Sequence, residues 1–234
     1  MANFLFIHGA AHGAWCWDRV LPRLTDLGHT ATAIDLPAAG ADTTPAKDVT
    51  IQAYVQKTVQ AMKQKTILVG HSLGGLTITL AAATAPEKTK ALVYLCALVP
   101  EPGKAFTDIR NGAIDPEVSD AQTVDREAGV SHVVTEKAAD LFYNDCTAED
   151  QAFALERLSP QPISVMTERL EFTPPTAPKH YIRCLQDRVV YPQYQTTISE
   201  GWSHTYDLPT GHSPFLSHPG DLTTLLHQIA RTHD

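Results

Sequence analysis

The decapeptide Thr66-Ile-Leu-Val-Gly-His-Ser-Leu-Gly-Gly75 carries the strongest structural signal in this chain. An apolar run enters a Gly-x-Ser-x-Gly pattern, and the apolar, alanine-rich stretch 76–83 follows it. This order predicts a strand, a tight turn and a helix, with the Ser72 hydroxyl at the tip of the turn. Gly70 and Gly74 fit this prediction, because a side chain at either would crowd the backbone on the two sides of the bend.

Composition and charge fit a compact enzyme. The 234 residues are 43% hydrophobic and 19% charged, which predicts one α/β domain with an inserted segment. A formal net charge of -8 and the lack of a Lys/Arg cluster argue against a nucleic acid or an anionic membrane as partner.

The four cysteines are widely scattered and form no C-x-x-C pair, which predicts neither a zinc site nor a disulfide framework. We expect reduced thiols in a cytoplasmic protein. The apolar Phe4-Leu-Phe-Ile7 is too short for the core of a signal peptide and predicts a buried strand.

Strand and helix patterns alternate along the chain. Strands are predicted at residues 4–7, 30–34, 66–69, 91–95, 180–185 and 203–208, and helices at 17–27, 51–63, 73–83 and about 221–231. This alternation predicts a mostly parallel sheet with helices on both faces, formed by residues 1–100 and 179–234.

Residues 101–178, here called the cap, show a different pattern with proline breaks and amphipathic runs but no obvious core strand. We expect a mainly helical insertion above the sheet, where groups that bind substrate often lie. Its apolar residues either line an acyl or alcohol pocket or, as is commoner at helical spacing, form core. The candidates for the pocket are Phe106, Leu141, Phe142, Phe153 and Leu158.

A serine nucleophile needs a base, and His212 is the best placed of eleven histidines. It lies in Thr210-Gly-His-Ser-Pro214, the loop between the last predicted strand and the last helix, which leads to the carboxyl edge of the sheet. His8 also follows a strand. His71 adjoins Ser72, but neighbours on a tight turn point in different directions.

Asp187 is the expected acid, because it follows the predicted strand 180–185 directly. The order Ser72, Asp187, His212 is that of an α/β-hydrolase. Two other acids compete: Asp207, which we expect to be structural or solvated, and Asp35, which we expect to cap a loop.

An oxyanion hole needs two donors. The first is the backbone N–H of Leu73, at the start of the helix. The second is expected from the loop His8-Gly-Ala-Ala-His-Gly13, with Ala10 as the donor. The alternative interpretation of this loop is an ordinary strand-to-helix turn.

The chain resembles the plant methylesterase and hydroxynitrile lyase branch of the α/β-hydrolase superfamily and its bacterial esterase relatives. The resemblance covers nearly the whole chain and is carried by His8-Gly-Ala-Ala-His-Gly-Ala-Trp15, Asp35-Leu-Pro-Ala-Ala-Gly40, Val69-Gly-His-Ser-Leu-Gly-Gly75, Leu141-Phe-Tyr-Asn-Asp-Cys146 and the stretch 181–192. It implies a sheet of about six strands, a small helical cap, no cofactor, no metal and often a homodimer.

Esterases and lyases both occur in this branch. The lyases typically place a threonine after the first-loop histidine, a cysteine after the nucleophile and a lysine after the base, where this chain has Gly9, Leu73 and Ser213. Without the lysine no positive charge stabilises departing cyanide. We therefore expect a serine esterase for small, fairly apolar aryl or methyl esters, with Gly9 beside the substrate. The alternatives are a lyase and a non-catalytic receptor for a small ligand.

Overall fold

Six parallel strands form the central sheet of the computed structural model, which describes residues 1–233. They are β1 (Asn3–Ile7), β2 (Thr30–Ile34), β3 (Thr66–His71), β4 (Thr89–Leu95), β8 (Lys179–Cys184) and β9 (Thr205–Leu208). Their order is β2-β1-β3-β4-β8-β9, and every neighbouring pair is parallel. The predicted α/β-hydrolase sheet is therefore confirmed.

Helices cover both faces of this sheet. They are α1 (Leu21–Asp26), α2 (Ile51–Ala61), α3 (Gly74–Thr84), α9 (Pro192–Ile198), α10 (Pro214–Ser217) and α11 (Pro219–Arg231). Because side chains alternate along a strand, Phe4 and Phe6 of β1 join the core under α1 and α11. Leu5 and Ile7 join the core under α2 and α3.

The predicted helix over residues 17–27 is shorter in the structure. A 3-10 turn at Ala14–Trp17 comes first, and α1 begins only at Leu21, with Pro22 in its first turn. Proline fits the first turn because an N–H there has no partner within the helix. The helix after the nucleophile begins at Gly74 because Ser72 has a left-handed backbone conformation.

The cap adds no strand to the main sheet, and most of its elements are helices. These are α4 (Phe106–Ile109), α5 (Pro116–Asp120), α6 (Thr135–Phe142), α7 (Ala148–Leu155) and α8 (Ser164–Thr167). It also holds a three-stranded antiparallel sheet of β5 (Gln122–Asp125), β6 (Val130–Val133) and β7 (Gln161–Pro162), which we did not predict. The strands are short and β5 is largely exposed, so no apolar alternation indicates them.

The topology brings four loops to one edge of the main sheet. Parallel strands point the same way, so the segments after β1, β3, β8 and β9 all emerge at their carboxyl ends. These segments carry the candidate residues Ala10, Ser72, Asp187 and His212. Among residues 1–233, no helix combines the length and apolar character needed to cross a membrane.

Candidate active site

Ser72 occupies a sharp turn between β3 and α3, with φ at +51°. Its N–H donates to Leu95 O at 3.2 Å, and its carbonyl accepts from the N–H groups of Gly75 and Leu98, both at 3.1 Å. A Cβ at Gly70 would lie 2.7 Å from Gly74 O, so the backbone closes tightly around the turn. The hydroxyl is thereby presented from a rigid bend, as in a nucleophile elbow.

His212 and Asp187 form a buried pair. Nδ1 of His212 donates to Oδ2 of Asp187 at 2.9 Å, and the two side chains are 1% and 0% exposed. A proton on Nδ1 leaves Nε2 free to accept another, as a general base must. His212 and Ser72 line the same cavity. The Ser72 hydroxyl makes no hydrogen bond to any group of residues 1–233, and such contacts often tighten only when substrate binds.

Asp187 accepts four hydrogen bonds. Oδ1 accepts from the N–H groups of Val189 at 2.7 Å and Val190 at 3.0 Å. Oδ2 accepts from Gln195 Nε2 at 3.1 Å as well as from His212. These four bonds fix the position and orientation of the carboxylate beside the imidazole.

The cap supports the loop that carries His212. Oδ2 of Asp145 accepts from Gly211 N at 2.7 Å and from Ser217 Oγ at 2.9 Å. A Cβ at Gly211 would lie 2.2 Å from Oδ1 of Asn144 and 2.6 Å from Oδ1 of Asp145, so these two cap side chains pack directly against the Gly211 backbone. Asp145 and Gln195 are supporting residues that sequence reasoning missed.

The other candidate bases have different places. His71 donates from Nε2 to the backbone oxygen of His212 at 2.8 Å, and burial holds the pKa of His71 well below its usual value. Nε2 of His8 accepts from Leu36 N at 3.1 Å, so its Nδ1 donates to Gly9 O at 2.8 Å. Burial also lowers the pKa of His8. Both imidazoles are neutral supports of the site.

The competing acids lie apart from His212. Asp35 caps a loop, as expected: its carboxylate accepts from Ala14 N at 2.7 Å and Ala41 N at 3.0 Å. Asp207 forms a two-pronged ion pair with Arg183 at 2.6 and 3.0 Å, and its side chain is 47% exposed.

Two residues that line the cavity have unpaired backbone N–H groups. Ala10 and Leu73 both line it with Ser72, and neither of their N–H groups has a hydrogen-bond partner within residues 1–233. Leu73 is buried and Ala10 is half-buried, and N–H groups shielded from water are nearly always paired. Two unpaired donors in the lining of one cavity are groups that can receive an oxyanion.

The cavity has a volume of about 350 Å³. Phe106 and Phe142 line it, whereas Phe153 and Leu158 do not. Phe153 packs edge-on against Trp15, with ring centroids 5.8 Å apart, and Leu158 packs against the main core. Both residues are half-buried and pack against the main core instead of the cavity. Phe153 lies in α7, and Leu158 follows that helix. Leu141 is also outside the lining and belongs to the core.

The cavity is also more polar than expected. Arg110 and Arg126 belong to its lining, which includes no aspartate or glutamate. Gly9 is not part of the lining: a Cβ there would lie 2.9 Å from both Ser72 Cβ and His71 Nδ1. The backbone at Gly9 therefore packs against the nucleophile turn itself.

One group of side chains within residues 1–233 has the spacing of metal ligands, namely His71, Cys96 and His212. Nε2 of His71 and Nδ1 of His212 are already bound in protein hydrogen bonds at 2.8 and 2.9 Å. The group is fully buried, and its spacing follows from the packing around the His212–Asp187 pair.

Known proteins resemble this chain along its whole length. Methylesterase 18 of Arabidopsis thaliana is 32% identical over an alignment that covers 97% of each chain. The crystal structure of the Arabidopsis methylesterase MES16 has a TM-score of 0.84 at 26% identity and covers 99% of this chain and 100% of its own. That of polyneuridine aldehyde esterase has a TM-score of 0.86 at 24% identity, over 98% and 99% of the two chains.

A family model supplies the remaining comparison. The model of the "Alpha/beta hydrolase family" matches residues 4–224, which include every candidate residue on the sheet edge. This chain belongs to the alpha/beta hydrolase family, in the branch of the plant methylesterases, and is a hydrolase.

Proposed function

We propose that this protein is a serine carboxylesterase that hydrolyses small, fairly apolar aryl or methyl esters through an acyl-enzyme. One observation carries the proposal: Ser72, His212 and two unpaired backbone donors line one cavity, and His212 is bonded to a buried Asp187. Methylesterases and esterases among the relatives support the same chemistry.

In the first half-reaction, Nε2 of His212 takes the Ser72 proton while Oγ attacks the ester carbonyl carbon. The carbonyl electrons move to the oxygen, which the N–H groups of Ala10 and Leu73 hold. Each donor of this kind contributes about 3 to 4 kcal/mol. The carbonyl re-forms as the alkoxide leaves with the proton from His212.

In the second half-reaction, water gives a proton to His212 and attacks the acyl-enzyme. The same imidazole then returns the proton to Ser72 as the carboxylic acid departs. Asp187 stays ionised throughout and stabilises the imidazolium. The apolar lining, including Phe106 and Phe142, supports a substrate with an apolar acyl or aryl group.

We also infer that the enzyme works in a reducing compartment such as the cytoplasm. All four cysteines are free thiols, and Cys16, Cys96 and Cys184 are buried. The homodimer implied by the resemblance stays a prediction, for which light scattering is the direct measurement.

The test measures turnover of p-nitrophenyl acetate and a panel of methyl esters. We expect Ser72→Ala to lose activity by about 10⁴-fold or more, whereas the matched Ser203→Ala should keep it. Mass spectrometry should find a fluorophosphonate adduct on Ser72. Equal turnover by Ser72→Ala would overturn the proposal, and cyanide release from mandelonitrile without ester hydrolysis would indicate the lyase instead.

A second pair of variants tests the acid. Asp187→Asn should reduce kcat by roughly 10⁴-fold, because an amide does not hold the imidazole in the required tautomer. Asp207→Asn makes the same chemical change in an exposed ion pair and should leave kcat unchanged. Similar kcat values for the two variants would remove Asp187 from the mechanism.

A further inference from the structure

Two buried side chains connect the cap to the loop of residues 8–13, which carries the proposed oxyanion donor Ala10. The Tyr143 hydroxyl, just after α6, lies 2.8 Å from Nε2 of His12, and His12 Nδ1 lies 2.7 Å from the backbone oxygen of Ala10. A carbonyl oxygen can only accept, so Nδ1 carries the proton. Nε2 must then accept from Tyr143. The two bonds therefore run in one direction, from the cap to the loop.

The cap also binds the N–H side of the Ala10–Ala11 peptide group, whose carbonyl oxygen accepts from His12. The N–H of Ala11 donates to Oε1 of Gln161 at 3.1 Å, while the carbonyl of Ala11 accepts from Ser159 N at 2.8 Å. C=O and N–H point in opposite directions in a trans peptide, so His12 and Gln161 fix the Ala10–Ala11 peptide from both sides. Ala11 has φ at +61°, a conformation that persists only where neighbours enforce it.

The preceding peptide group, Gly9–Ala10, is held by the buried side chain of His8. Nδ1 of His8 donates to Gly9 O at 2.8 Å, which directs the N–H of Ala10 to the opposite side. Ala10 thus lies between two peptide groups, each bonded to a neutral histidine, and its own N–H is left without a protein partner.

We propose that His12 is a positioning residue for the oxyanion hole and that Tyr143 makes the hole depend on the seated cap. This inference rests on the proposed esterase function. An oxyanion donor is effective only if it is aimed before charge develops, and the His12 bond holds the residue that carries that donor. Burial lowers the pKa of His12 to about 3, so the imidazole stays neutral and adds no second positive charge beside His212.

The principal test compares two substitutions of His12. His12→Leu removes the donor to Ala10 O, whereas His12→Asn can present an amide N–H close to the position of Nδ1. We expect kcat/KM to fall roughly 10- to 100-fold in His12→Leu, with KM within about threefold. His12→Asn should recover most of the loss.

A boronic acid that forms a tetrahedral adduct on Ser72 supplies a readout beyond turnover. Its inhibition constant should rise in His12→Leu in parallel with the fall in kcat/KM, because both depend on the same donors. If the role of His12 were purely structural, His12→Leu would lower the melting temperature, but the inhibition constant and kcat/KM would not change in parallel.

Tyr143→Phe tests the link to the cap without changing the loop. It removes the donor to Nε2 of His12 and should lower kcat roughly three- to tenfold, with a smaller effect on KM. His180→Leu is the matched control for His12→Leu, since this buried histidine lies near the amino end of β8, at the opposite edge of the sheet. It should lose stability and keep kcat.

Each outcome supports or overturns a separate proposal. If His12→Leu folds and retains the wild-type kcat/KM and boronate affinity, the positioning role is wrong while the esterase stands. If His12→Asn is as impaired as His12→Leu, the donor to Ala10 O is not what matters, and the inference also fails. Absence of ester turnover and of Ser72 labelling in the wild-type enzyme would instead contradict the proposed function.

Discussion

Gln195 donates from Nε2 to the carboxylate oxygen of Asp187 that also accepts the proton of His212 Nδ1. The amide makes further bonds: its oxygen accepts from Cys184 N at 2.8 Å and its nitrogen donates to Val190 O at 2.8 Å. Gln195 thereby ties the end of β8 to the loop that carries the acid, and it is fully buried.

Gln195→Met keeps the side-chain volume but removes these bonds. We expect the free energy of unfolding to fall by about 1 to 3 kcal/mol, because buried backbone groups lose their partners. We also expect kcat to fall roughly tenfold as Asp187 loses a fixed position. Gln193→Met, on the exposed side of the same helix, is the control. Identical urea curves and kcat values for the two variants would contradict this role.

Asp145→Ala should weaken the loop that carries His212. The substitution removes the acceptor for Gly211 N and Ser217 Oγ, so we predict a kcat/KM lower by about 10- to 100-fold through displacement of the imidazole. Steady-state kinetics with p-nitrophenyl acetate measures this effect. The control is Asp140→Ala, an exposed acid of α6, and a wild-type rate for Asp145→Ala would refute the prediction.

Stability should decline in mild acid because three histidines near the site are buried and neutral. Burial lowers the pKa of His8 and His71, and it lowers that of His12 from 6.5 to about 3. Below about pH 6.5 the unfolded chain binds protons that the folded chain does not, so stability falls as pH drops towards 3. Each group contributes up to about 1.4 kcal/mol per pH unit.

Urea unfolding at pH 7.5, 6.5 and 5.5 measures this dependence. The free energy of unfolding should be nearly constant above pH 7 and should fall at pH 5.5. His12→Asn lacks one of the three imidazoles and should show a shallower decline. A wild-type protein that is equally stable at pH 7.5 and 5.5 would show that these histidines protonate freely in the folded state.

The cavity should prefer anionic to cationic substrates. Its lining contains Arg110 and Arg126 and no carboxylate, although the whole chain has a formal charge of -8. Exposed ion pairs contribute about 0.2 to 1 kcal/mol, so KM for a methyl ester with a distal carboxylate should be up to about fivefold lower than for its ammonium counterpart. The preference should shrink in 0.5 M salt and in Arg126→Gln. Equal KM values for the two esters at low salt would rule it out.

The sequence predicts the main sheet and the places of Ser72, Asp187 and His212 because each of these features is local. An apolar run marks a buried strand, and parallel strands place whatever follows them at one edge. Gln195 and Asp145 follow no such rule. Their roles depend on which loops meet in three dimensions, and a glutamine within a helix or an aspartate shortly after one is common in any protein.

The cap shows the same limit. The amphipathic runs of the cap predict helices, and the structure has α6 and α7 in this segment. Helical spacing does not show which neighbour an apolar face contacts. It therefore predicts both Phe153 and Phe142 as pocket residues, although only Phe142 lines the cavity. Tyr143, next to Phe142 in sequence, points to His12 instead.

The chain leaves β4 at Leu95 and returns at Lys179 to β8, the strand directly beside it. Because the cap starts and ends on adjacent strands, its length and sequence can change without disturbing the sheet. Exchange of the cap would let one sheet domain acquire new substrates. Here the exchange is constrained. A different cap must carry its own equivalents of Tyr143, Asp145 and Gln161, because these three side chains bind loops of the sheet domain.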